Sequence, residues 1–187
     1  MPRLFIAIAM PEDIAFELDR LCEGLPGVRW TDVDDFHLTL RFIGQVDHAT
    51  FCDIGEALTS VSMPPIELRL KGIGQFPPRG HPHTLWVGLE DGREVHRLRR
   101  HIERILAEHI GLPPERRKFA PHVTIGRVKE PLPDHRYGRF LQSRALFRSS
   151  PFIVTRFALY SSILRPEGAE HVVEAEYDFV TGQAERL

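Results

Sequence analysis

The chain has 187 residues, a formal net charge of −2, 42% hydrophobic and 27% charged residues. Such a composition fits one ordinary globular domain with a real core. It excludes a global basic field for gathering nucleic acid, so any hold on phosphate is local.

Taken in order, residues 4–9 predict a buried strand. The apolar run 4–10 closes at Pro11-Glu12-Asp13 without a small-residue cleavage site and reads as a strand rather than a signal peptide. Pro11 suits the opening turn of a helix, whose apolar stripe is Ile14, Leu18, Leu21, Cys22 and Leu25. Residues 36–43 predict a strand ending at Gly44. A second helix follows, with Asp47 as N-cap and Phe51, Ile54, Leu58 and Val61 facing inward, until Pro64-Pro65. Cys22 and Cys52 fall on apolar helix faces, which predicts buried, reduced thiols and a cytoplasmic chain.

Ile66, Leu68 and Leu70 alternate with Glu67, Arg69 and Lys71, a half-exposed strand. Residues 72–83, rich in Gly and Pro, read as a loop. Leu85, Val87 and Leu89 mark the next strand. Val95, Leu98, Ile102, Ile105 and Leu106 recur at helical spacing, and Pro113-Pro114 stop that helix. A strand starts near His122, residues 134–145 predict a short helix, and residues 152–161 and 171–180 read as closing strands. Neighbouring strands and alternating patterns favour an antiparallel α+β fold over a parallel one. No run approaches the roughly 20 apolar residues a membrane-spanning helix needs.

One pattern occurs twice. His37-Leu38-Thr39-Leu40 and His122-Val123-Thr124-Ile125 both read His, apolar, Thr, apolar, and both sit in expected strands. Alternation puts His37 with Thr39, and His122 with Thr124, on one face, while the apolar residues and Phe42 enter a core. Two imidazoles in one cleft suit general acid–base catalysis near neutral pH, and two hydroxyls can donate to the oxygens of a phosphodiester. Arg41 shares the His37 face by alternation. Arg127 does not share the His122 face in a regular strand, but a bulge at Gly126 would re-aim it. Phe76, in the Gly/Pro-rich loop, is the candidate for stacking a base, with Phe36 and Phe119 assigned to the core. Arg116-Arg117-Lys118 reads equally as a solvated loop or a landing place for an RNA backbone. His81 and His83 have no carboxylate or thiolate nearby in sequence to complete a metal site.

The paired motif resembles the 2H phosphoesterases. The wider set is closer still: Leu-Phe-Ile-Ala-Ile at the start, Phe-His-Leu-Thr-Leu-Arg-Phe-Ile-Gly at 36–44, Gly74-Gln75-Phe76-Pro77, Leu85-Trp86-Val87-Gly88, and Phe-Ala-Pro-His-Val-Thr-Ile-Gly-Arg at 119–127. Together they resemble the LigT-like RNA 2′,3′-cyclic phosphodiesterases over nearly the whole chain. The resemblance implies one bilobal catalytic domain over residues 1–187, with two antiparallel sheets related by a pseudo-twofold axis around a central cleft and helices outside. It implies metal- and cofactor-independent opening of a 2′,3′-cyclic phosphate on RNA ends or cyclic nucleotides, by a monomer. His37 and His122 become the acid–base pair, with His122 as base and His37 as acid. Thr39, Thr124 and Arg127 become the phosphate donors, and Arg41 has no firm family counterpart. Rival readings are a 2′-5′ RNA ligase, a 2H enzyme on another cyclic phosphate or a 2′-5′ linkage, and an RNA-end binding module without turnover.

Overall fold

The computed structural model describes residues 3–79, 81–129, 134–165 and 168–179. The first half of the chain forms β1 (Arg3–Ala9), α1 (Glu12–Asp19), β2 (Val28–Trp30), β3 (His37–Gln45), α2 (His48–Leu58), β4 (Ile66–Leu68) and β5 (Leu70–Phe76). The second half forms β6 (Thr84–Leu89), α3 (Arg93–Ile105), β7 (Val123–Val128), α4 (Asp134–Ser143), β8 (Phe152–Val154) and β9 (Arg156–Arg165), and β10 (Gly168–Asp178) follows as a hairpin partner of β9. With β2 and β10 set aside, each half runs strand, helix, motif strand, helix, short strand, long strand.

The main sheet has the order β10-β9-β1-β3-β7-β6-β5, with β2 beside β7, while β4 and β8 pair separately. Every pairing is antiparallel. The order is symmetric about the β3–β7 seam: β1 corresponds to β6, and β9 to β5. Each half therefore lends its last long strand to the edge of the other. The matching short strands β4 and β8 pair with each other. At the seam, β3 and β7 meet through one residue pair, Leu38 opposite Val123.

The helices cover one face. Ile14, Leu18, Ile54, Leu58, Leu98 and Ile102 pack in one core with the inward residues of the strands, among them Ile6, Leu38, Leu40, Val87, Val123 and Ile125. On the opposite face Phe5, Ala7, Ala158 and Tyr160 form a second, smaller cluster. The helix ends follow local chemistry. The Asp47 carboxylate accepts the Thr50 N–H at 2.7 Å and caps α2. Beyond α3, a π turn over Leu106–Ile110 ends at Gly111, whose φ of +74° favours glycine.

The structure corrects the sequence reading at several points of the fold. β2 is three residues long and was not foreseen. The strand expected at residues 66–71 is two strands, and β5 continues to Phe76 through part of the expected loop. The break at Arg69 frees β4 to pair with β8, which separates from β9 at Thr155 in the same way. Cys52 is exposed rather than buried, because α2 turns Ile54, Ala57 and Leu58 inward instead. Cys22 is half-buried over the Leu18 and Ile125 carbonyls, and burial pushes its thiol up to about 12. Val180, the expected end of the last strand, lies outside the described residues. No helix among them is long and apolar enough to cross a membrane.

Leu38 is fully buried at the seam. Leu38→Ala should cost about 2–5 kcal/mol by lost burial and the cavity left behind, read as a lower urea midpoint. A loss below about 1 kcal/mol would mean that the seam is held elsewhere.

Candidate active site

The seam positions both motifs. Leu38 and Val123 are 0% exposed, so alternation sends His37 and Thr39, and His122 and Thr124, to the side away from the helices. All four are partly exposed there.

Both imidazoles are oriented by the backbone two residues upstream. His37 Nδ1 lies 2.7 Å from the Asp35 carbonyl, and His122 Nδ1 lies 2.6 Å from the Ala120 carbonyl. A carbonyl oxygen only accepts, so in each neutral ring Nδ1 carries the proton and Nε2 keeps its lone pair. The same nitrogen is thereby left free on both rings.

Past each threonine the strand slips by one residue. Thr39 lies opposite Ala7 but Arg41 lies opposite Ile6. Thr124 lies opposite Trp86 but Gly126 lies opposite Leu85. Leu40 and Ile125 are the extra residues, and each insertion reverses the faces beyond it. Arg41 and Gly126 are therefore buried, while Phe42 and Arg127 are exposed. At Gly126, a Cβ would come within 2.8 Å of Trp30 and Val28, so glycine lets β2 lie against this bulge.

The slip corrects two expectations. Arg41, placed beside His37 and Thr39 by alternation, instead turns toward the helices and is 6% exposed. Its guanidinium lies 3.4 Å from Glu103 and 3.9 Å from Glu115, and it donates to the Pro113 carbonyl at 2.6 Å. It ties β3 to the segment leading toward His122 and is not in the cleft. Phe42, expected in the core, is 59% exposed, with its ring 6.0 Å from Phe5. Arg127 is re-aimed as the Gly126 bulge requires, and its charge is felt at His37, His122 and His171.

Aromatic rings floor both histidines. The Phe76 ring is 5.0 Å from His122, and Trp86 is 6.2 Å from it. Trp86 lies flat on Gly74, where a Cβ would overlap its ring. Around His37 stand Phe5 at 5.2 Å, His171 at 5.3 Å and Tyr160 at 6.2 Å. Sequence reasoning missed Phe5, Trp86, Tyr160 and His171 as cleft residues. Alternation in β1 does mark Phe5 and Ala7 as facing away from Leu4, Ile6 and Ile8. Nothing in the local pattern of β10 points to His171, which reaches the site only through strand pairing. Arg116, Arg117 and Lys118 are exposed, and the charge of Arg117 is felt at His122.

Burial dominates the electrostatics. It holds His37 down to about 4, against the pull of its bond to the Asp35 carbonyl. Burial likewise lowers His122, aided by Arg117 and Arg127. In the free protein the neutral form of both rings is favoured. An anion among them favours the charged form and raises both values.

Comparison with known proteins gives a consistent picture. A family model described as LigT like Phosphoesterase matches twice, over residues 8–86 and 87–169. An RNA 2′,3′-cyclic phosphodiesterase of Thermotoga maritima is 33% identical over 186 residues, covering 96% of this chain and 97% of that protein. One from Aeropyrum pernix is 40% identical over 107 residues, covering 57% of this chain and 60% of its own length. Among solved structures, TT0787 of Thermus thermophilus is similar with a TM-score of 0.75 at 25% identity, over 95% of this chain and 97% of that one. E. coli LigT complexed with 3′-AMP has a TM-score of 0.76 at 21% identity, over 96% and 99%.

The depressed His37 sets a measurable pH dependence. An unfolded histidine titrates near 6.5. As pH falls from there toward 4, the unfolded state takes up a proton that folded His37 refuses, so stability declines across that window and is complete above it. In an NMR titration the His37 ring should shift near pH 4 in the free protein and at higher pH with phosphate bound. A midpoint near 6.5 in both states would refute this account of its environment.

Proposed function

The chain belongs to the LigT-like phosphoesterase family, and we propose that it is an RNA 2′,3′-cyclic phosphodiesterase yielding 2′-phosphomonoester ends. The observation that carries this reading is the pair of His-x-Thr strands on one seam, each ring with its Nδ1 proton committed to a carbonyl and its Nε2 free. Relatives bearing that activity as their name, one of them matched along almost its entire length, support it.

In the proposed reaction, water attacks phosphorus and gives its proton to Nε2 of the neutral imidazole. The P–O3′ bond breaks as the new P–O bond forms, and the second imidazole, protonated, delivers its proton to the leaving 3′ oxygen. The products are a 2′-phosphomonoester and a 3′-hydroxyl. Thr39 and Thr124 donate to the non-bridging oxygens, and Arg127 adds charge where it accumulates. Phe76, beside His122, offers a face for the terminal base. The family resemblance makes His122 the base and His37 the acid. The free-protein electrostatics run the other way, since His37 holds its proton less readily. Substrate phosphate sits between both rings and resets both values, so kinetics decide the roles. One chain supplies both motifs, which supports a monomer acting on RNA ends, and the unpaired thiols of Cys22 and Cys52 agree with a reducing compartment such as the cytoplasm.

With 2′,3′-cyclic CMP as substrate, kcat/KM should follow a bell against pH. His37→Ala and His122→Ala should each cost roughly 10²–10⁴-fold. Loss of the acid-side limb identifies the base, and loss of the alkaline limb identifies the acid. Near-wild-type turnover in either variant refutes the two-histidine mechanism, and binding without turnover in the wild type leaves an RNA-end binding module. Arg127→Ala should weaken both binding and turnover, with Arg127→Lys a partial rescue because a point charge lacks the guanidinium fork.

A further inference from the structure

β2, the strand the sequence did not reveal, contributes one residue whose position has a chemical meaning. In the β2–β7 pairing, Arg29 stands directly opposite Arg127. Residues opposite each other on antiparallel strands share a face, with Cβ atoms about 5 Å apart, and like charges so placed destabilise the sheet. Both arginines are exposed. Elsewhere on the surface, arginines such as Arg93, Arg104, Arg148 and Arg156 are held by carboxylates. Among the described residues neither Arg29 nor Arg127 is in an ion pair. Asp35 feels the charge of Arg29, but burial is the larger influence on that carboxyl and raises it. Two facing guanidiniums with no carboxylate at ion-pair distance among the described residues are suited to an anion.

The two are not equivalent. The charge of Arg127 reaches the imidazoles of His37, His122 and His171, whereas that of Arg29 is felt at Asp35. With Arg127 as the arm on the reacting phosphate, Arg29 stands opposite it on β2, which flanks β7 on the same edge as β3 but toward the far end of that strand. On the reading that this cleft opens 2′,3′-cyclic ends, we propose that Arg29 binds the next phosphate along the RNA chain, on the 5′ side of the terminal nucleoside. Arg29 thereby sets a preference for polynucleotide ends over cyclic mononucleotides.

The test compares 2′,3′-cyclic CMP, which has no second phosphate, with the dinucleotide CpC ending in a 2′,3′-cyclic phosphate. For wild type, kcat/KM should be higher on the dinucleotide and should fall with salt. Arg29→Ala should lower the dinucleotide value roughly tenfold, mostly through KM, as expected for one charge-assisted contact. It should also flatten the slope of log kcat/KM against log salt by about 0.7, one phosphate contact on a single strand. Turnover of cyclic CMP should stay within about twofold, and Arg29→Lys should restore part of the dinucleotide advantage. Equal losses on both substrates would place Arg29 at the reacting phosphate or in the fold, and no loss on either would remove it from the site; each overturns the proposal. If wild type turns over neither substrate, the phosphodiesterase reading fails by itself. Arg29 is then judged by anisotropy with a labelled CpC 3′-phosphate, where Arg29→Ala should bind about tenfold more weakly and an unchanged affinity refutes it.

Discussion

Everything in the cleft depends on where Leu38 meets Val123. That buried contact is the point at which the two motif strands join, and it sits in the middle of both His-x-Thr motifs. Because neighbouring residues on a strand point to opposite faces, burying this pair obliges His37, Thr39, His122 and Thr124 to emerge together on the other side. The core therefore places the polar groups, and a one-residue slip would send imidazoles into the apolar layer. The carbonyls of Asp35 and Ala120 then fix each ring, so position and tautomer both come from the backbone.

The halves share a device as well as a motif. Each motif strand inserts one residue past its threonine, and each insertion turns the following positions over. The two halves have filled the resulting places differently. On β7 the buried place is Gly126 and the exposed one is Arg127, a cation in the cleft. On β3 the buried place is Arg41, locked to Glu103 and Glu115, and the exposed one is Phe42. The scaffold is nearly symmetric, with aromatic rings beside both histidines, but only the β7 half adds an exposed cation at this place.

Much of this was legible in the sequence. The repeated tetrad put both histidines and both threonines on the face where the structure has them, because a period of two is the strongest signal a strand gives. Apolar spacing located α1, α2 and α3, the short helix expected over 134–145 is α4, and Asp47 marked a cap. The errors cluster where pairing, rather than local pattern, decides. Arg41 and Phe42 were misplaced because alternation continues through a sequence with nothing to announce the extra residue at Leu40. For Arg127, glycine supplied that announcement. His171, Trp86 and Tyr160 were missed because they come from strands whose neighbours are set by topology. β2 is too short to carry any pattern, yet its register against β7 sets Arg29 beside Arg127.

The exchange of long strands between the halves bears on how the chain assembles. β9 completes the edge beside β1, so Ile6 pairs with Leu159 across most of the sequence, and β5 does the same service for β6. Neither half can finish its own sheet until the other has been made. A ribosome delivering this chain must release β8 and β9 before β1 has its outer neighbour, and until then that edge stays open to wrong partners. Such long-range closure is slow, and it makes the molecule all-or-none. Two fragments parted between β5 and β6 would each carry one complete motif and an unfinished sheet, and would recover the cleft only by finding each other.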